Sequence, residues 1–213
     1  MADALITLSK VVKQYPMGKS FFTALQDINL TFQPGEFAGV VGPSGSGKTT
    51  LLNLIGTLDA PTSGDVRLLG RSVVGLNGRE SARIRNESLG FIFQTYNLLP
   101  VYTVFENVEL PLLLLKLPAA ERKRKVEQAL EWVGLTDKAR SKPNQLSGGE
   151  SQRVAVARAM VKEPPIVLAD EPTANLDSEN SHHILQTMQQ LNRNLGTTFL
   201  FSTHDEKVIS YLE

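Results

Sequence analysis

The apolar positions of this sequence change period several times, and each change predicts an element. Residues 4–9, ALITLS, alternate between apolar and polar and read as a half-buried strand. Residues 25–32 read as a second strand. The run EFAGVVG at 36–42 is short, continuously apolar and closed by glycine, the pattern of a buried strand that ends in a turn. Helical spacing follows over 48–58, then a glycine-bounded strand at 64–70 and an apolar strand at 89–94. From Thr103 to about Lys162 helical spacing dominates. Within it, Pro118 and Ala119 open a charged amphipathic helix to about Val133, with Leu130, Trp132 and Val133 able to face inward, and 150–161 reads as another helix. Strand signals return at 166–169 and 198–202, with a helix over 178–194 between them. Strands alternating with helices predict an α/β fold, here one domain over 1–213 whose α/β part is interrupted by a helical insert at roughly 95–160.

Composition narrows the picture. A chain of 213 residues suits one compact domain with a small insert. Twenty-two basic residues balance 22 acidic ones, which removes the electrostatic case for non-specific nucleic-acid binding, although Arg122–Lys125 is a local basic cluster. Cysteine is absent, which excludes a disulfide framework and thiolate chemistry. No apolar run approaches the roughly 18–20 residues that span a bilayer. The longest candidate, 110–117, contains Pro111 and Lys116, and the N-terminus lacks the basic start and apolar centre of a signal peptide. The expectation is a cytoplasmic chain, held at a membrane only through a partner, without inserting in the bilayer.

The chemistry starts at GPSGSGKT, Gly42–Thr49, which fits G-x-x-x-x-G-K-[ST] between a predicted strand and a predicted helix. Gly42, Pro43, Ser44, Gly45, Ser46 and Gly47 let consecutive backbone N–H groups converge on phosphate oxygens. The helix that follows, with Thr50 in its first turn, adds its positive end. Lys48 is expected to reach the β- and γ-phosphates of a nucleotide, and Thr49 to place its hydroxyl on Mg²⁺. The run IVLADEP, Ile166–Pro172, ends a strand in two acids. Asp170 there suits Mg²⁺, and Glu171 suits polarisation of an attacking water. A strand ending in two solvated acids is the plainer alternative, and the phosphate loop argues against it.

Three residues remain open when read singly. Gln94, after GFIF, is either a neutral ligand for Mg²⁺ or water, or a surface glutamine. His204, after TTFLFST, is either a donor to a γ-phosphate or a polar residue opening the next helix. Tyr15 either stacks on a base or packs on the sheet. The turn LSGGE, Leu146–Glu150, poses a different question. Ser147 and Glu150 suit a helix cap, but a cap does not account for Gly148 and Gly149 in succession.

Taken in order, these stretches resemble the ATP-binding cassette family of transporter ATPases, and the resemblance covers nearly the whole chain. Family members carry a base-stacking aromatic (here Tyr15), the phosphate loop (Gly42–Thr49), a switch glutamine (Gln94) and a signature (Leu146–Glu150). An acidic pair (Asp170, Glu171), a connecting loop (Ala174–Asp177) and a switch histidine (His204) follow. The resemblance implies a nucleotide-binding core of the phosphate-loop type with an N-terminal antiparallel β part and a helical part bearing the signature. It also implies ATP and Mg²⁺ as ligands, with Thr49, Gln94 and Asp170 at the metal and Glu171, His204, Lys48 and Gln94 in catalysis. Two copies would pack head to tail on binding ATP, each offering Ser147, Gly148 and Gly149 to the nucleotide of the other. Many members have Gln where Glu150 stands. Members usually continue past the switch histidine with further strands, whereas this sequence stops at Glu213, so the resemblance leaves that edge of the fold open.

The stretches 43–66 and 91–114 are similar to the branch that includes lipoprotein-releasing and macrolide-export ATPases. The resemblance implies permease partners in the bacterial inner membrane, contacted through residues after Gln94 such as Tyr96, Asn97, Leu98 and Leu99. It equally admits a regulatory ATPase that signals through a permease-like protein to a cell-wall enzyme without transport. For most leucines of this stretch, packing within the insert's own core is the competing expectation.

Overall fold

Residues 4–212 are described by the structure, a computed structural model. Strand β1 (Ile6–Met17) turns through Gly18 into β2 (Ser20–Phe32), and the antiparallel pair joins β4 (Ser63–Leu68) and β5 (Arg71–Ser72) in a sheet of order β2-β1-β4-β5. Both hairpin strands are longer than the apolar alternation predicts. In β1 the reason is local: the register shifts between Leu8 and Val11 and again around Lys13, and Lys10 has a φ of 51°. Each bulge resets the two-residue period, so the pattern fades while the strand continues. In β2, residues Ser20–Thr23 are all exposed and leave no buried face to read.

The second sheet is parallel and runs β3 (Phe37–Val41), β8 (Thr198–Thr203), β7 (Ile166–Asp170), β6 (Leu89–Ile92). Its two faces fill two cores. Leu89, Ile166, Leu168 and Leu200 pack with α1 (Lys48–Ile55) and the inner face of the antiparallel sheet. Phe37, Val167, Ala169, Phe199 and Phe201 pack with α5 (Gly148–Met160) and α6 (Ser178–Leu195). The Phe37 ring lies 4.6 Å from that of Phe201 and 5.5 Å from that of Phe199. Strands so covered on both faces read as unbroken apolar runs, which is why all four were legible.

Helices α3 (Val104–Leu114) and α4 (Ala119–Trp132) occupy the predicted insert and join the α5 core. Val104, Val108 and Leu112 on α3 meet Val126, Ala129 and Leu130 on α4. Trp132 is partly buried against this cluster, while Leu99, Leu113 and Leu114 are exposed rather than packed inside. Helix α2 (Gly78–Ser88) was not predicted. It buries no residue, so it has no apolar stripe to detect. Polar ties hold it instead: a capping box of Asn77 and Glu80, Arg85 Nη1 donating to the Thr57 carbonyl at 2.7 Å, and Lys162 Nζ donating to the Arg85 carbonyl at 2.8 Å. The two-residue β5 and the one-turn α7 (Glu206–Ile209) are likewise too short for a period.

Candidate functional site

The site lies at the carboxyl edge of the parallel sheet, where open α/β folds bind their ligands. Strand β3 ends at Val41 and the chain curls through Gly45 (φ 80°) and Gly47 (φ 91°) into α1. Gly47 is the N-cap in left-handed geometry, and no side chain caps the helix. The first-turn amides are therefore left without a side-chain acceptor, which suits an anion. A Cβ on Gly47 would stand 2.7 Å from the Ala24 carbonyl oxygen, so only glycine lets β2 approach the loop this closely. Lys48, buried beneath the loop, donates to the carbonyls of Gly42 at 2.7 Å and Pro43 at 3.1 Å.

The neighbouring strand ends supply the rest. Thr49 Oγ1 donates to both Asp170 oxygens, at 3.1 and 3.2 Å, and Ser202 Oγ also donates to Asp170. Glu171 follows with φ 46°, a left-handed backbone that costs a residue with a side chain roughly 1–3 kcal/mol. Its carboxylate stands 3.7 Å from Lys48 Nζ and 2.7 Å from His204 Nδ1. Thr203 Oγ1 is 3.5 Å from Glu171 Oε2. His204, read from the sequence as either a γ-phosphate donor or a polar residue opening the next helix, engages the acid, and Nε2 is the ring nitrogen outside that contact. A hydroxyl and a carboxylate within contact of each other are all-oxygen donors. They suit Mg²⁺, which keeps waters and phosphate oxygens in its shell rather than a full protein cage.

A cavity of about 480 Å³ collects Tyr15, Ser44, Gly45, Gly47, Lys48, Thr49, Thr50, Gln94, Glu171 and His204 in its wall. Asp170 joins them through Thr49, whereas Gly42, Pro43 and Ser46 build the loop without lining this cavity. The wall also holds Phe22 and Ala24, which the sequence reading missed. Only the β1–β2 register reveals Phe22, as the direct partner of Tyr15. Tyr15 itself is fixed: its hydroxyl donates to Asp59 Oδ2 at 2.9 Å, and Lys13 Nζ lies 4.8 Å from its ring centroid. Burial pushes the Asp59 carboxyl up, but hydrogen bonds from Lys13, the Ala60 amide and Tyr15 outweigh it and hold it below its ordinary value.

Gln94 is tied to the connecting loop, since Asn175 Nδ2 donates to its carbonyl at 2.9 Å. Directly beyond it, Tyr96 (φ 60°) and Asn97 (φ 49°) form a left-handed kink. Arg158 of α5 holds this kink by donating to both carbonyls, at 2.6 and 2.5 Å. Burial pulls the Arg158 guanidinium below its ordinary value and the Lys162 ammonium down to about 8.

The signature turn is absent from the cavity wall. Ser147 caps α5: its Oγ accepts from the Glu150 amide at 3.2 Å, and Glu150 Oε2 accepts from the Ser147 amide at 2.8 Å. Gly149 has an intramolecular reason that the sequence did not disclose, because a Cβ there would stand 2.2 Å from Asn180 Oδ1. Gly148 is exposed and has no comparable constraint, its nearest neighbour being the Tyr96 hydroxyl at 3.2 Å. Ser147 is exposed too.

Comparison with known proteins decides the family. The model of the ABC transporter family matches residues 25–174, well over half the chain. The chain belongs to the ABC transporter family. It is an ATP-hydrolysing cassette of the branch that contains the LolD and MacB ATP-binding proteins. The lipoprotein-releasing system ATP-binding protein LolD of Alcanivorax borkumensis is 45% identical over 95% of this chain and 89% of its own. The macrolide export ATP-binding/permease protein MacB of Rhodopseudomonas palustris is 43% identical over 98% of this chain but 32% of its own. Among solved structures, the dimeric post-hydrolysis state of the ATP-binding cassette MJ0796, bound to ADP and Pi, superposes with a TM-score of 0.90. It is 44% identical, covering 98% of this chain and 91% of that one. Among the described residues of the cassette, no helix is long and apolar enough to cross a membrane.

Proposed function

We propose that this cassette is the ATP-driven subunit of a membrane transporter, working as a homodimer at the cytoplasmic face of a membrane through permease subunits. The observation that carries the reading is a mismatch within one chain. The phosphate loop lines a cavity, yet an exposed Ser147 and Gly148 at a helix mouth form no part of its wall. A hydroxyl that accepts at its oxygen still has a hydrogen to donate, so Ser147 can cap α5 and reach a partner's γ-phosphate together. MJ0796 is described as a dimer bound to ADP and Pi, which supports a dimer here.

In this reading the loop amides, Lys48 and Thr50 hold the triphosphate, and Tyr15 stacks on the base. Thr49, Asp170 and Gln94 would hold Mg²⁺, which would supply positive charge to the transferred phosphoryl group. Glu171 orients the attacking water, with His204 placing its carboxylate. Closure of two copies on two ATP does mechanical work on the permease, and hydrolysis resets it. The helical stretch at roughly 95–160 carries the signature toward the other copy. Lipoprotein release and macrolide or peptide-type export are the cargo classes that fit. LolD and MacB match at nearly equal identity, so similarity favours neither.

The test is Glu171→Gln. With ATP and Mg²⁺ this variant should elute as a stable dimer on size exclusion while steady-state turnover drops by roughly 100-fold or more. Full-speed turnover by a monomeric protein, retained with Ser147→Trp, overturns the reading.

A further inference from the structure

We infer that Phe22 is a second nucleobase-binding residue, forming with Tyr15 a two-ring wall for the base of the bound nucleoside triphosphate. The two residues are direct cross-strand partners in the β1–β2 hairpin. Partners in an antiparallel pair project to the same face with Cβ atoms about 5 Å apart. Both line the cavity that holds the phosphate loop. Phe22 packs in neither apolar core and leaves 53% of its surface exposed, so folding alone does not account for a phenyl ring at this position.

The strand supplies the spacing. Ala24, two residues along β2, has its carbonyl against Gly47 of the phosphate loop. Two residues of strand carry the chain about 7 Å, so Phe22 stands one step outward from the phosphates, on the side where the base must lie. The two rings differ in freedom. Tyr15 is locked by Asp59 and Lys13, whereas Phe22 has no ring partner among the described residues. With the Tyr15 hydroxyl spent on Asp59, the hairpin side chains in the wall (Tyr15, Phe22, Ala24) offer ring faces and a methyl group, not donors that read base edges. Stacking tolerates any base, so GTP should be held through the same wall.

This inference rests on reading the cavity as the nucleotide site, and the experiment separates the two. Binding of ATP, GTP and inorganic tripolyphosphate, each with Mg²⁺, is measured by titration calorimetry on the full chain and on Phe22→Ala. The expected result is a rise in Kd of roughly five-fold or more for ATP and GTP, with tripolyphosphate unchanged. KM for ATP should rise in parallel at unchanged kcat, the melting temperature should hold, and Phe22→Trp should restore ATP affinity. Unchanged ATP affinity in Phe22→Ala, or an equal weakening of tripolyphosphate, overturns the role of Phe22. Failure of the unsubstituted protein to bind either ATP or tripolyphosphate overturns the site itself.

Discussion

The molecule has two glycine-rich turns that each open a helix, and they are built in opposite ways. The phosphate loop enters α1 through left-handed glycines and leaves the helix mouth without a side-chain cap. The signature enters α5 through an ordinary extended N-cap, and Ser147 and Glu150 close the mouth with a reciprocal capping box. One turn leaves its first amides open in a geometry that suits an anion. The other is satisfied within its own chain and presents only an exposed hydroxyl and an exposed glycine. Similar composition thus yields two differently built helix mouths, and the difference is the sign of φ at the cap, 91° at Gly47 and −68° at Ser147.

Gly47→Ala tests this contrast most severely. Forcing a Cβ into φ 91° costs roughly 1–3 kcal/mol, and the new methyl group must push β2 away from the loop. Nucleotide binding by calorimetry should be lost together with several degrees of melting temperature. Retained ATP affinity would mean that the loop does not depend on its left-handed cap.

The signature glycines should separate. Gly149→Ala drives a methyl group into Asn180 and should destabilise the fold by roughly 1–2 kcal/mol in denaturant melts. Gly148→Ala meets only the edge of the Tyr96 hydroxyl and should leave stability within about 0.5 kcal/mol. If Gly148 serves the other copy, its substitution should still lower ATP-dependent dimerisation. Equal stability losses at the two positions would erase the distinction.

The smallest effect is acid-dependent. The hydrogen bond from the Ser147 amide, aided by Lys138, holds the Glu150 carboxyl below its ordinary value of 4.5. A depressed folded value means the carboxylate stabilises the native state above pH 4.5 and loses that contribution as pH falls through the lower folded value. Glu150→Gln keeps a residue suited to the box but cannot titrate. The advantage of the native residue over glutamine in melting temperature should therefore shrink as pH falls below 4.5. An advantage independent of pH would place the stabilisation elsewhere.

Legibility followed burial and local rules. The four parallel strands announced themselves as unbroken apolar runs, and α1 and the helices of 103–162 and 178–194 by helical apolar spacing. Helix α2 did not, since polar ties at its two ends replace that face. The hairpin was truncated at Ser9 because bulges reset its period. In the site, Lys48, Thr49, Asp170 and Glu171 were readable from a motif and a strand end. Phe22 opposite Tyr15, the lock on Tyr15 by Asp59, the Arg158 clasp on the Tyr96–Asn97 kink and the His204–Glu171 contact were not, because they join residues that only strand register or tertiary packing brings together, as with Tyr15–Asp59 at 44 positions apart and Arg158–Tyr96 at 62.

By itself, then, the order of residues determined the kinds of element, the phosphate loop and the chemical character of the strand-end acids, because these depend on neighbours close in the chain. Tertiary structure alone decided which ring faces Tyr15, why position 149 cannot carry a side chain, and that His204 leans on Glu171. Those outcomes depend on strand register and on the close approach of α5 to α6, which short-range periodicity does not encode.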